Sequence, residues 1–462
     1  MRTERLAKKA GIYFIGNLST KFLSVIVVFI YAFYINAEDL GKYEYIQTIS
    51  NIIIPIAFVS IWEAILKYTL GATAEKDEVI NTSAIFSIIV SIMVVILGMI
   101  YYHIKIEKYS LYIIMVYILY GLSTVWQYYA RCLNKTRTYV KSSVIGAIVN
   151  LILIILLVCI LNLKIKALFM ANIISNLVIL SIIEYKIKIL ENLKIKEFDI
   201  KMLKKMLIFS FPLVINDISL WLITGFGKTI IQNILGASAN GMYSFANKFS
   251  IIVNFLGLVL NKALTEEMLI SEKDKVGKQF EEIMQKIIEG ILVFLVLCMP
   301  IIMIFYNIIA KTEYYQSKIY VPILLIYSVI MLISTNLSTI FKVAEKTKYQ
   351  FYTTLAGAIT TVIISVVTIY KLKIMGVILG QVLGAFVNTA LRYMIGRKFI
   401  KLKIKWKKSL IIFIVYSIIS FVVVKSNWMI NIIIELATVL ILIVTYNREI
   451  KKIINGIINI EK

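Results

Sequence analysis

Histidine occurs once in the 462 residues, at His103, and cysteine three times, at Cys132, Cys159 and Cys298. Those positions make no metal or redox spacing, so no zinc site and no serine–histidine or cysteine–histidine dyad is expected. Each cysteine reads as a small packing residue. Proline (four) and glycine (twenty) are scarce, which excludes a linker-rich or low-complexity chain. Charge is scarce as well, at 16% of residues against about 25% in a soluble domain. No glycine-rich loop ending in Gly-Lys-Ser/Thr is present, so direct drive by ATP is not expected. No metal or other cofactor is implied.

What fills the chain instead is apolar sequence, 60% of residues, against about 45–50% in soluble proteins. It comes in continuous runs of about 17–25 residues, not the alternating runs of about ten that barrel strands show. In hydrocarbon every backbone N–H and C=O needs an internal partner, which a helix supplies. The expectation is an all-α polytopic membrane protein. Fourteen spans are placed near 12–35, 43–67, 80–102, 111–130, 140–161, 165–185, 206–226, 240–261, 287–310, 319–341, 350–370, 374–395, 409–424 and 428–446. The first run is too long for a signal-peptide core and lacks a small-residue cleavage site. Arg2, Arg5, Lys8 and Lys9 before it predict a cytoplasmic N-terminus.

With that orientation, about 37 of the 50 lysines and arginines fall in cytoplasmic segments, most densely at 186–205 and 392–408. About 11 fall outside, and Lys21 and Lys248 lie within helices. The asymmetry places the C-terminus inside as well, and makes the formal net charge of +24 mainly a topology signal. Nucleic-acid binding, the rival reading of a basic chain, is disfavoured because the bases are scattered over short loops.

Internal echoes divide the chain. KTRTYVKSSVIGAI from Lys135 parallels KTKYQFYTTLAGAI from Lys346, with Gly146 and Gly357 at the same distance from the lysine. LKIKA at Leu163 mirrors LKIMG at Leu372, with a slip of about two residues, and Gly41-Lys-Tyr43 mirrors Gly241-Met-Tyr243. Six helices separate each pair of copies, so both enter the membrane in the same sense, as parallel repeats do. The predicted organisation is two pseudo-symmetric six-helix lobes at 1–190 and 206–400, joined by a basic cytoplasmic linker at 191–205. Two further helices and a tail occupy 401–462. That is transporter architecture, in which one lobe rocks against the other around a central cavity.

The segment FSFPLVINDISLWLITGFGKTIIQNILGASANGMYSFANKFSIIVN, Phe209 to Asn254, resembles the start of the second lobe in oligosaccharide-lipid flippases. These form the polysaccharide transporter branch of the multidrug/oligosaccharidyl-lipid/polysaccharide exporter superfamily. YYARCLNKTRTYV after helix 4, WEAILKY at the end of helix 2, YYQSKIYVPILLIYSV into helix 10 and KIMGVILGQVLGAFVNTALRYMIG in helix 12 are similar to that family too. The likeness extends over nearly the whole chain. The family often carries an acid followed by a base where this chain has Gly227-Lys228, a departure that weakens an ion-coupling role for that position. The resemblance implies a fold like that of the multidrug exporters of the same superfamily. It also implies a flippase, not an enzyme, that carries an undecaprenyl-pyrophosphate-linked oligosaccharide across the bacterial cytoplasmic membrane for O-antigen, capsule or exopolysaccharide assembly. Polysaccharide assembly proteins are then possible partners. An ion-coupled drug or cation exporter is the alternative. It calls for several cavity acids and few bases. A membrane glycosyltransferase or polymerase is third, and calls for a large outside loop or an acidic cluster.

An anionic, sugar-rich head needs a wet cavity with cations, and cations in a membrane are rarely kept without a role. Lys21, about nine residues or 14 Å into helix 1 and close to Asn17, is the first candidate. Lys248, near Asn247 and Asn254, is the second; for each lysine the competing reading is a side chain that snorkels or pairs with an acid. Asp217 is a partner for one of these lysines, an ion-coupling acid, or a structural group near its helix start. Glu63 and Lys67 stand four apart, which favours an intrahelical ion pair, with a gate as the alternative. Arg131 closes helix 4 as an inside anchor or as a contact for the headgroup. Glu435 in the last helix has no assigned role. Pro55, Pro212 and Pro300 are hinges or places of tolerated loosening.

Overall fold

The structure, a computed structural model, describes residues 2–70, 76–105, 109–254, 256–257, 260–261, 264, 276–344, 346–400, 402 and 405–445. The side chains of 2–15, 17, 105, 276 and 445 lie outside that description. The described residues are predominantly helical, without a strand, as a backbone that must satisfy itself inside lipid requires. In chain order the helices are α1 (Arg2–Tyr34), α2 (Ala37–Ala57), α3 (Ile61–Leu70), α4 (Lys76–Lys105), α5 (Ser110–Cys132), α6 (Thr136–Ile154) and α7 (Ile165–Ile187). They continue with α8 (Ile200–Thr224), α9 (Phe226–Leu235), α10 (Ala237–Asn247), α11 (Val276–Ile308), α12 (Val321–Val343), α13 (Lys348–Gly396), α14 (Trp406–Lys425) and α15 (Trp428–Thr445). Among the described residues each predicted run overlaps one or more of these helices. Among the described residues nine helices are long and apolar enough to cross a membrane, ten when α2 and α3 count as one bent span. Shorter apolar helices lie at Leu18–Tyr34 and Trp428–Val444. The chain is a multi-pass membrane protein.

Several helices are interrupted, and the interruptions place the site. Pro55 has no N–H to donate, and three residues later α2 stops. Val59 (φ 50°) and Ser60 (φ 44°) turn through the left-handed region, where a β-branched residue is held only by its surroundings. The axis of α3 departs from that of α2 by 53°. Phe58 fills the break against Gly121, where a Cβ would stand 2.5 Å from its ring. Pro212 and Pro300, by contrast, sit inside α8 and α11, which run on through them. The stretch 227–235, predicted to lie in a loop between two spans, is instead helical and belongs to α9. It is separated from α10 by Gly236 at φ 89°, a conformation that suits glycine alone. The predicted span 240–261 is also broken, by a turn at Lys248 and Phe249.

The 49 residues of α13 would reach about 74 Å if straight, more than twice the hydrocarbon core. Lys373 (φ 50°, ψ −132°) folds the helix back on itself. Gly376, Gly380 and Gly384 then face Thr368, Ser365 and Thr361 so closely that a Cβ on any of them would enter the opposing arm of the hairpin. Small residues let helix backbones approach in this way. Lys164, before α7, adopts nearly the same conformation (φ 49°, ψ −130°). It is the residue that the LKIKA and LKIMG echo pairs with Lys373.

By packing, the chain divides into two compact units, Met1–Lys248 with Thr354–Gly384, and Phe249–Thr353 with Ala385–Lys462. In the first unit the other echo becomes a contact. α2 and α10 cross at Gly41 and Gly241. A Cβ on Gly41 would lie 1.8 Å from the Ala237 carbonyl oxygen, and one on Gly241 1.8 Å from that of Ala37. The two Ala-x-x-x-Gly-x-Tyr copies thus pack on each other reciprocally, about a local twofold. Tyr43 receives a hydrogen bond from Asn172 at 3.5 Å and Tyr243 donates one to Gln381 at 2.8 Å, so the copies are anchored alike. In the same unit the linker is strapped to the start of α4. Asn81 accepts from the Lys194 N–H and donates to Glu197, and Thr82 accepts from the Asp199 N–H.

The second unit is built on α11, α12, α14, α15 and the end of α13. Arg392 is buried there and donates to Thr353 and to the Ser334 carbonyl and hydroxyl. Tyr416 donates to the Pro322 carbonyl. On α15, Glu435 Oε2 is buried with no hydrogen-bond partner among the described residues.

Candidate functional site

One face of α2 carries Ala37, Gly41, Glu44, Thr48, Asn51 and Pro55 at three- and four-residue spacing, so they form a stripe. Its first turns make the glycine seam. Its last three residues line a cavity of about 390 Å³, closed on the other side by Asp217, Leu220, Trp221, Thr224, Gly225, Lys228 and Asn247. Glu44 stands between the two. The break at Gly225 sets the opposite wall: Trp221 Nε1 donates to the Thr48 carbonyl at 2.8 Å, and a Cβ on Gly225 would press on both residues. α9 then starts at once and turns Lys228 toward α2.

Glu44 holds two lysines. Lys228 Nζ lies 2.6 Å from Oε2 and Lys248 Nζ 2.5 Å from Oε1, with both ammoniums and the carboxylate largely sequestered. Lys248 also stands 5.2 Å from the centre of the Tyr31 ring. The triad carries one net positive charge inside an apolar bundle, where an ion pair survives only with good geometry and full hydrogen bonding. Lys228 belongs both to the triad and to the cavity wall.

The predicted site residues divide. Lys248 is in the triad, and its neighbour Asn247 lines the cavity. Asp217 lines it too, accepting a hydrogen bond from Ser60 at 2.9 Å across the α2–α3 break. Lys21 falls, by helical register, on the face of α1 that is buried further along at Val28 and Ala32, yet its own side chain is exposed. Asn17 is in α1, and its side chain lies outside the described residues. Asn254 is exposed in the 250–254 turns. Glu63 and Lys67 do not form the intrahelical pair that their spacing favours. Tyr128 donates to Glu63 at 2.6 Å, and the Lys67 ammonium sits 3.8 Å from the centre of the Phe209 ring, so each has a partner on another helix. Arg131 stacks over Tyr128 at 4.5 Å, beside that carboxylate.

Glu44 is not among the sequence candidates, and Lys228 enters there only through the residue before it. With helix 2 begun at 43, Glu44 reads as an interfacial acid. The helix starts at Ala37, which sinks Glu44 two turns deep. Lys228 falls in a predicted loop that is α9. A Cβ at Gly227 would lie 2.9 Å from Gln381 Nε2 and 3.0 Å from Val377, so a larger residue there requires those side chains to shift.

The profile of the family described as "Polysaccharide biosynthesis protein" matches residues 6–262. That interval is more than half of the chain and contains Glu44, Lys228, Lys248 and the whole cavity. The chain belongs to this family. No curated protein matches it significantly. Among solved structures it is similar to the lipid II flippase MurJ in an inward closed conformation (TM-score 0.71, 14% identity, covering 96% of this chain and 100% of that one). It is also similar to an inward-facing multidrug resistance MATE transporter of the MOP superfamily (0.62, 15%, 83% and 97%). A third is the Vibrio cholerae MATE transporter VcmN, solved as a point mutant (0.58, 14%, 86% and 96%). At these identities the likeness is one of fold. This member of the polysaccharide biosynthesis family therefore has the helical fold common to a lipid flippase and to multidrug transporters.

Proposed function

We propose that this protein is a flippase for an oligosaccharide linked to undecaprenyl pyrophosphate. It works by alternating access between two six-helix lobes in a fourteen-span chain with both termini in the cytoplasm of a bacterial cell. The observation that carries the reading is the Glu44–Lys228–Lys248 cluster of net charge +1, whose Lys228 lines the cavity. A cavity for a lipophilic cation calls for acids with few bases, whereas here Asp217 shares the cavity with Lys228, and a phosphate-bearing head needs such a base within reach. Lys21, exposed on the inward stripe of α1, adds a second cation for the same anion. Asp217 at the α2–α3 break is the acid placed to respond to an ion gradient.

The test is leaflet exchange of a fluorescent undecaprenyl-pyrophosphate oligosaccharide in reconstituted vesicles. The wild-type protein accelerates exchange; Lys21→Ala and Lys228→Met each slow it at least severalfold. Export of a drug cation by the same vesicles, with no lipid exchange, would replace this reading with the exporter.

A further inference from the structure

Glu44 does more than neutralise. Its two carboxylate oxygens each hold a different ammonium, one on α9 and one at the end of α10, while its own helix meets α10 one turn away at the Gly41–Gly241 seam. The carboxylate therefore ties α2 to the same helices that the seam presses together. Lys228 faces the cavity on the far side of the triad from the seam, so an anion that enters the cavity meets this ammonium before it reaches the glycines. Two ammoniums spaced to share one bidentate carboxylate also suit an anion with several oxygens, such as a phosphate ester or diphosphate.

We infer that Glu44 is an internal counter-ion that the cargo's phosphate displaces, and that its displacement unlocks the α2–α10 seam. The inference rests on the flippase reading for the identity of the anion, but not for the latch itself. In the empty state Glu44 occupies both lysines and the seam stays shut. Phosphate oxygens that take over Lys228 and Lys248 leave Glu44 without a partner, and α2 loses its electrostatic tie to α9 and α10. A neutral lipid leaves the tie in place. The seam thus opens only when charged cargo is seated, which limits idle cycling. The pseudo-symmetric counterpart of Glu44 is Ser244, whose hydroxyl has no partner among the described residues. The tie is one-sided although the seam is symmetric.

The experiment places spin labels at Lys42→Cys and Met242→Cys, flanking the seam, in a protein whose Cys132, Cys159 and Cys298 are replaced by alanine, held in lipid nanodiscs. Wild-type residues at the triad give a short label-to-label distance. A longer population appears on adding undecaprenyl diphosphate or inorganic pyrophosphate and does not appear with undecaprenol. Glu44→Gln shows the longer population with nothing added. A short distance retained in Glu44→Gln, or an equal response to undecaprenol, overturns the latch. A response to the lipid diphosphate but not to pyrophosphate supports it and assigns the anion to the lipid headgroup. If Glu44→Gln opens the seam while wild type ignores both diphosphates, the latch stands and the phosphate cargo falls, so the two failures are distinguishable. Should Glu44→Gln fold poorly with two uncompensated lysines, the neutral variant Glu44→Gln/Lys228→Met/Lys248→Met takes its place. It is expected to be insensitive to either diphosphate, and a wild-type response from it overturns the assignment.

Discussion

At the scale of single residues the triad is lopsided, and the lopsidedness is measurable. Removing either lysine leaves a neutral pair, with Glu44 still bonded to the other ammonium. Removing the carboxylate leaves two ammoniums together in an apolar interior. A partner stripped from a buried ion pair costs about 3–5 kcal/mol, whereas one hydrogen bond to a charged group is worth about 1.5–3 kcal/mol. Thermal unfolding in detergent should therefore rank Glu44→Gln well below Lys228→Met and Lys248→Met, with the lysine variants close to each other. Equal losses from all three substitutions would show that the carboxylate is not the hub. Glu63 and Lys67 make a related point. A spacing of four on a helix permits an ion pair, yet here a tyrosine hydroxyl and an aromatic ring on neighbouring helices take the two side chains.

At the scale of elements the site owes its form to breaks and close crossings. The turn at Phe58–Ser60, the halt at Gly225 and the turn at Lys248 each end a helix beside residues that line the cavity. The α2–α10 crossing depends on both glycines equally. Gly41→Ala and Gly241→Ala each drive a methyl into the other helix's backbone, and overpacking of this kind costs about 1–3 kcal/mol. The two losses should be similar. The double variant should lose clearly less than their sum, since helices already pushed apart by one methyl meet the other with less resistance. Additive losses in unfolding experiments would argue against a reciprocal contact.

At the scale of the whole molecule, basic residues concentrate in segments that fourteen spans would place on one side. In a cysteine-free protein in intact cells, an impermeant maleimide should label His103→Cys, and Asn192→Cys only after permeabilisation. Both positions are exposed. The reverse pattern would invert the chain.

The sequence by itself determined the class, helical and membrane-spanning, and it carries its internal echoes openly. These follow from local rules, because lipid imposes a helix on any apolar run of sufficient length and the repeats are written as residue identities. The breaks were less legible. Pro55 marks one, but Pro212 and Pro300 have the same chemistry and interrupt nothing, since the surrounding packing decides whether a freed carbonyl bends the helix. The site itself was decided by tertiary structure. Glu44 and Lys228 lie far apart in the chain and read, by sequence, as an interfacial acid and a loop base. They become a buried pair because the glycine seam brings α2 against α10, and the halt at Gly225 turns α9 inward. Which charges meet in a bundle is set by which backbones can approach, and that property belongs to two helices at once.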